Sequence, residues 1–219
     1  MNRIQELSRL VTELTAADLV DAMGRRHRHR SHLLDLVTPT PDRVLFGPAV
    51  TISYFPTCEK VLDPERYNFA RLFYAAAGDD PTGTVLILAS NGHPDTSLAG
   101  GTKLSRLQNL DMAGVVADGR LRDFDQLAAF DFATYCRGET TRWGGDVVVP
   151  FEANVPVVVS GVGIFPGDYV YASAAGAVAI PAAEVDEVLD EAMRVSEEDS
   201  GHLSRIAEES GDSVSGLER

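Results

Sequence analysis

The sequence predicts a single mixed α/β domain in which layers of sheet and helix share one core, and three observations lead there. The chain has 219 residues, the length of one domain, and 44% of them are hydrophobic. From residue 45 onward, short β-branched or aromatic stretches alternate with Gly and Pro, the texture of strands and turns. Between these stretches and at both ends, apolar residues recur at spacings of three and four, the period of half-buried helices. No internal repeat is visible. The domain is read as residues 1–210, followed by a polar tail over 211–219.

At the N-terminus, residues 2–14 carry Ile4, Leu7, Leu10, Val11 and Leu14 on one helical face. This reads as an amphipathic helix rather than a signal peptide, and a cytoplasmic location is expected. Thr15, with Asp18 three residues on, resembles a capping box that opens a second helix through Leu19, Val20 and Met23. The run Arg25-Arg26-His27-Arg28-His29-Arg30 follows. It reads as a solvated loop, with an anion-contacting or oligomer-contacting patch as the alternative. Strands are expected over 49–55, 84–89, 114–117, 132–135, 155–159, 169–171 and 177–180, and helices over 64–77, 102–110 and 124–130. The stretch 144–181 is mostly strand and turn. A last helix begins near Pro181, with Val185, Val188, Leu189, Ala192 and Met193 as its apolar stripe, and the tail is expected to fray beyond Gly211.

Charge and cysteine content exclude several function classes. With 33 acidic against 19 basic residues the net charge is −14, a field that repels a polyanion and disfavours general nucleic-acid binding. More than half of that charge, −9, lies between Glu184 and Arg219. Cys58 and Cys136 lack metal-ligand spacing, so neither a zinc ribbon nor a disulfide-stapled module fits. Apolar runs such as Val85 to Ala89 are far too short to span a membrane.

The most informative stretch runs from Asn91 to Asp123 and contains Gly100-Gly101-Thr102-Lys103-Leu104 and, later, Asp118-Gly119-Arg120-Leu121-Arg122-Asp123. A helix over 102–110 rises about 13 Å, and a strand over 114–118 returns about 16 Å. Gly101 and the Arg122-Asp123 pair should therefore meet at one end of the sheet. Glycines at a helix start bare N–H groups to a carboxylate or phosphate. Arg122 can clamp a carboxylate through its fork, and Asp123 can hold a divalent cation through oxygen. Ordinary turn chemistry at the Gly-Gly and a surface ion pair at Arg-Asp are the competing readings.

Gly101, twenty intervening residues and then Arg122-Asp123 make a spacing similar to that of the RraA-like family, which includes pyruvate-releasing class II aldolases acting on 4-hydroxy-4-methyl-2-oxoglutarate. Phe46-Gly47-Pro48-Ala49-Val50-Thr51, Pro166-Gly167-Asp168 and Gly176-Ala177-Val178-Ala179-Ile180-Pro181 resemble the same family, so the likeness spans roughly residues 14–192. The resemblance implies a swivelling β/β/α fold, assembled as a homotrimer or hexamer with sites near subunit boundaries. It further implies that Asp123 binds Mg²⁺ or Mn²⁺ and that Arg122 holds the carboxylate and keto oxygen of a small 2-oxo acid. The backbone of Gly101, Thr102, Lys103 and Leu104 would cradle the same carboxylate. The implied activity is a metal-dependent aldolase or decarboxylase that makes pyruvate through a stabilised enolate. The family's name-giving members instead bind and inhibit an endoribonuclease, which is the alternative function. A related mechanism on a different acid, such as a sugar-derived oxo acid, is a third.

The chain departs from the family pattern in two places. Gln126 stands where a further acid is expected three positions past Asp123, and Ser173-Ala174-Ala175-Gly176 stands in place of an Asp-x-Asp-Gly run. Both changes remove negative charge from metal or base positions. Other candidates have bland readings: His93 as a solvated loop residue rather than an acid/base, Asp118 as a turn former, and Cys136 as a buried structural thiol. The loop Glu139 to Gly145, with the only Trp, reads as a site rim or subunit contact. Some relatives carry a methyltransferase label, but Pro166-Gly167 arrives after Gly161-Val162-Gly163 where a nucleotide-binding helix would have to start.

Overall fold

Side-chain alternation along the strands sets the layers of this protein, seen in a computed structural model that describes residues 3–27 and 29–216, with side chains through residue 208. In chain order the elements are α1 Arg3–Val11, α2 Ala16–Arg26, β1 His32–Leu33, β2 Leu45–Pro56, α3 Phe69–Ala77, β3 Val85–Ala89, β4 Ser97–Ala99, α4 Gly101–Asn109 and β5 Gly114–Ala117. They continue as β6 Arg120–Leu121, α5 Phe124–Ala129, β7 Ala133–Tyr135, β8 Val148–Ala153, β9 Val157–Val159, β10 Val162–Ile164, β11 Tyr169–Ser173, β12 Gly176–Ile180 and α6 Val185–Gly216.

The main sheet has the order β1-β12-β11-β2-β3-β5-β7, with β8 also paired to β2. Its β2-β3-β5-β7 half is parallel and its β1-β12-β11-β2 half antiparallel. The 12-residue β2 joins the halves: residues 45–48 pair with β11 and residues 52–56 with β8. Pro48, which lacks an N–H, sits where the β11 ladder ends.

On β3, Leu86 and Leu88 face one way while Val85, Ile87 and Ala89 face the other, and all are fully or almost fully buried. Leu86 and Leu88 meet α3, α4 and α5 through Phe73, Leu104, Leu107 and Leu127. The opposite face is covered by the β9–β10 hairpin through Val157, Val159, Val162 and Ile164. Over the antiparallel half, Tyr171, Val178 and Ile180 meet α1, α2 and α6. Each buried aliphatic side chain contributes about 2 kcal/mol of apolar burial. The hairpin, sheet and helices form the β/β/α layering that the sequence led us to expect.

Most predicted elements are present, with four informative differences. The expected helix over 64–77 begins only at Phe69, because Asn68 caps it by accepting the Arg71 N–H at 3.0 Å and Asp63 holds the preceding turn. The strand expected from residue 155 starts at Val157, beyond the left-handed Asn154 and Pro156. The backbone helix of α6 runs to Gly216, past the expected fraying point; residues 217–219 lie outside the described residues. The basic run is not a free loop at its start: Arg25 bonds Glu191 and Glu198, and Arg26 and His27 contact Glu184. Arg28 is not among the described residues. The expected capping box of α2 is formed, with the Asp18 N–H donating to Thr15 and the Thr15 N–H to Asp18.

Candidate active site

The site is built at the C-terminal edge of the parallel strands, where β3 and β5 end side by side in register, Leu88 opposite Ala117. The chain leaving β3 forms β4, and the chain leaving β5 forms β6; these short strands pair in parallel, Ser97 with Arg120 and Ala99 with Leu121. The Arg122 N–H then donates to the Ala99 carbonyl at 3.1 Å. This second ladder lays Gly100-Gly101 against Arg122-Asp123. Asp123 adopts left-handed backbone (φ 65°), which an Asp tolerates, and its Oδ2 accepts the Gly101 N–H at 3.1 Å. The meeting of Gly101 with Arg122-Asp123, expected from helix and strand lengths, is thus made by a hydrogen bond.

Both glycines lie close against the side chains of the α5 start. A Cβ on Gly100 would lie 2.8 Å from Asp123 Oδ2 and 3.0 Å from Arg122 Cβ, and one on Gly101 would lie 2.0 Å from Gln126 Oε1. Gln126, the residue that departs from the family pattern, is therefore packed against the site as a neutral amide.

Around this corner lies a cavity of about 680 Å³. Gly100, Thr102, Lys103, Arg122 and Asp123 line its polar end; Tyr54, Leu62, Tyr67 and Phe69 line an apolar wall; Trp143, Gly144 and Gly145 stand at its margin. The 139–145 loop thus borders the cavity, and Glu139 also accepts the Phe124 N–H at 2.9 Å at the start of α5.

The first turn of α4 differs from the expected backbone cradle. The N–H groups of Lys103 and Leu104 both donate to the Gly100 carbonyl at 3.0 Å, and that of Gly101 to Asp123. Thr102 is left as the first-turn N–H with no acceptor among the described residues. The Leu104 side chain points into the core. The open anion contacts are instead side chains: neither Lys103 nor Arg122 forms an ion pair among the described residues. The Lys103 ammonium lies 5.3 Å from the centre of the Phe69 ring. Burial, then the charges of Arg106 and Arg122, hold its pKa below the usual lysine value.

Other sequence candidates lie elsewhere. His93 does not line the cavity. Asp118 accepts the Ser90 N–H at 2.5 Å, tying the ends of β3 and β5 together, and burial raises its pKa. Cys136 is fully buried, and burial pushes its thiol up to about 11, as suits a structural residue. Gly161 sits in the tight β9–β10 turn with no helix after it, so no dinucleotide-type loop is present there. Sequence reading missed the aromatic wall and the side chain of Lys103. Tyr54 falls in the expected strand 49–55 and Phe69 in the expected helix 64–77, and the approach of β2 and α3 to α4 makes both of them lining.

A family model described as Aldolase/RraA, RraA-like, matches residues 16–179. Over 149 residues, 64% of this chain and 70% of the relative, the chain is 29% identical to a Halalkalibacterium halodurans protein provisionally named 4-hydroxy-4-methyl-2-oxoglutarate aldolase. Among solved structures it is similar to Streptomyces coelicolor RraAS2, described as an unusual member of the RNase ES inhibitor RraA family. The identity is 26%, the TM-score 0.78, and the match covers 92% of this chain and 98% of that one. An uncharacterized Pseudomonas syringae protein has the same fold, with a TM-score of 0.80 at 22% identity over 93% of this chain and 89% of that one.

Proposed function

The chain belongs to the Aldolase/RraA family, and from that premise we propose that it is a carbon–carbon lyase that releases pyruvate from a 4-hydroxy-2-oxo acid or from oxaloacetate. One observation carries the proposal: Arg122 and Lys103, neither in an ion pair among the described residues, share a cavity with Asp123 near the start of α4. Arg122 binds the substrate carboxylate through its planar fork, and the Thr102 N–H adds a neutral donor. The same guanidinium faces the negative charge that develops on the 2-oxo oxygen as the C3–C4 bond breaks. Tyr54, Tyr67 and Phe69 supply apolar surface beside that charge, and the less water reaches it, the stronger the contact.

Asp123 fits as a single ligand for Mg²⁺ or Mn²⁺. One of its oxygens is held by Gly101, the other accepts no hydrogen bond among the described residues, and such ions accept one carboxylate with waters and substrate oxygens. No group of three His, Cys, Asp or Glu is gathered for a metal among the described residues, so the protein contributes few ligands. When bound, the ion would polarise the 2-oxo group. We further propose that the chain works as a homotrimer or hexamer.

The test is to follow pyruvate after mixing the full chain with oxaloacetate or 4-hydroxy-4-methyl-2-oxoglutarate, first with Mg²⁺ and then with EDTA. Pyruvate above background, raised by Mg²⁺, is expected; background release from both substrates would overturn the reading. The likeness to RraAS2 over nearly the whole chain favours a second reading, a protein-binding inhibitor of an endoribonuclease. A tight, salt-sensitive complex with such a nuclease, in the absence of lyase activity, would support it.

A further inference from the structure

We propose that the cavity selects 2-oxo acids whose C4 carries a bulky neutral group, an aromatic ring above all, in preference to diacids, and that Trp143 covers that group. The proposal rests on the reading of the cavity as a 2-oxo-acid site and deepens it by naming what lies beyond C4.

Size is the first ground. A cavity of about 680 Å³ lies in the range that encloses ligands of drug size, and a six-carbon diacid leaves most of it empty. Part of its boundary is the connection between β2 and α3, residues 57–68, which is held at both ends. At one end the Thr57 N–H donates to the Val147 carbonyl and the Thr57 hydroxyl to the Gly145 carbonyl, both at 2.9 Å. At the other, the Tyr67 ring stacks on Phe151 of β8, with centres 5.0 Å and planes 5° apart. So anchored, the connection is a fixed wall of the cavity.

The chemistry of that wall is the second ground. Its side-chain donors are largely engaged within the chain. The Tyr54 hydroxyl donates to the Leu98 carbonyl at 2.6 Å, and the Asn68 amide donates to the Pro64 and Glu65 carbonyls. The Tyr67 hydroxyl and the Trp143 N–H are neutral donors, and Leu62 and Pro64 are apolar. Glu59 is the one charged residue of the 57–68 connection that lines the cavity, and its carboxylate repels an anion. Lys103 and Arg122 stand with Asp123 at the polar end, close enough for the charge of Arg122 to help lower the Lys103 pKa, and there they meet the C1 carboxylate and the 2-oxo oxygen. A second carboxylate reaching the 57–68 wall would lose hydration without a cation to replace it, whereas a ring gains by burial.

Trp143 is the third ground. It is the only tryptophan, stands at the cavity margin and is 64% exposed. Its ring lies against Gly145, where a Cβ would be 2.2 Å from Cζ2, and Gly144 packs on Ser97, where a Cβ would be 2.0 Å from the carbonyl oxygen. An indole so held, with most of its surface in water, is a cover for an apolar ligand. In the reaction, the C3–C4 electron pair passes to C3, which takes a proton to become the methyl of pyruvate. The C4 hydroxyl loses its proton as C4 becomes the carbonyl of an aromatic aldehyde, so no oxidant or reductant is needed.

The test uses two acids that lack the 4-hydroxyl and cannot undergo retro-aldol cleavage, 2-oxo-4-phenylbutanoate and 2-oxoglutarate, which differ in a ring against a carboxylate. With Mg²⁺ and the full chain, calorimetry should show the phenyl acid binding at least about 10-fold more tightly. Trp143→Ala and Leu62→Arg should each shrink that ratio. Cleavage of 4-hydroxy-2-oxo-4-phenylbutanoate should exceed that of 4-hydroxy-4-methyl-2-oxoglutarate by a similar factor in kcat/KM. Equal or tighter binding of 2-oxoglutarate would overturn the apolar subsite. Pyruvate released from the diacid but not from the phenyl acid would also overturn it, with the lyase reading intact. Tighter binding of 2-oxo-4-phenylbutanoate with no pyruvate from any substrate would uphold the subsite and overturn the lyase reading.

Discussion

Arg122 makes no hydrogen bond or ion pair through its guanidinium among the described residues, although its backbone is fixed by the Ala99 carbonyl. A side chain held in place yet unpartnered can be removed at little structural cost. Arg122→Ala should therefore keep the far-ultraviolet spectrum and melting behaviour of the parent while pyruvate release falls about 100-fold or more, the usual effect of deleting one charge-stabilising contact. Arg122→Lys, which keeps charge but not the fork, should recover only part of that loss; parent-level turnover in Arg122→Ala would remove the residue from the site. At this scale the sequence was legible where chain geometry is local. One helix and one strand, both short and regular, fix the meeting of Gly101 with Asp123. Lys103 was legible only as backbone, because its importance depends on Phe69, 34 positions earlier, packing beneath its ammonium.

The elements were read most clearly where burial on both sides leaves continuous apolar runs, as in β3 and β5, which are buried along their whole length. β1, β4 and β6 have only two or three residues each, too few for any period to show, yet the β4–β6 pair positions the site. The docking of α6 on α2 was likewise hidden, since the basic run and its acidic partners are more than 150 positions apart. That docking carries a pH dependence. Arg26 lowers the pKa of Glu184, and Arg25 lowers those of Glu191 and Glu198. For carboxyls whose folded pKa is depressed, the stabilisation is present above the unfolded value of about 4.5 and disappears as pH falls through the lower folded values. Protection factors across 185–198, corrected for the intrinsic exchange rate at each pH, should thus be high at pH 7 and fall below pH 4 ahead of those of β3 and β5. Arg25→Ala should raise exchange there at pH 7. Unchanged protection in Arg25→Ala would mean that the apolar stripe of Val188, Leu189 and Ala192 holds the helix alone.

Over the whole molecule, the charge of −14 is concentrated: −9 lies from Glu184 onward, whereas the cavity is lined by Lys103 of α4 and by Arg122 after β6, two cations with no ion pair among the described residues. Charges on exposed surface are screened beyond about 8 Å at physiological salt, so a small anion that has reached the cavity senses the local cations more than the distant helix. A polyanion is in a different position. RNA affinity depends on neutralising several phosphates at once, and an RNA strand long enough to do so would have to lie along acidic surface. The chain should therefore show no retention of single-stranded RNA at about 150 mM salt in an electrophoretic or anisotropy assay, whether or not the lyase reaction is confirmed. Should it also suppress an endoribonuclease, the suppression must act through contact with the enzyme. It would then weaken as salt screens the attraction between α6 and a basic surface on the nuclease, and added RNA should not titrate the inhibitor away. RNA binding by the isolated chain, strengthening as salt is lowered, would contradict this account of where its charge lies.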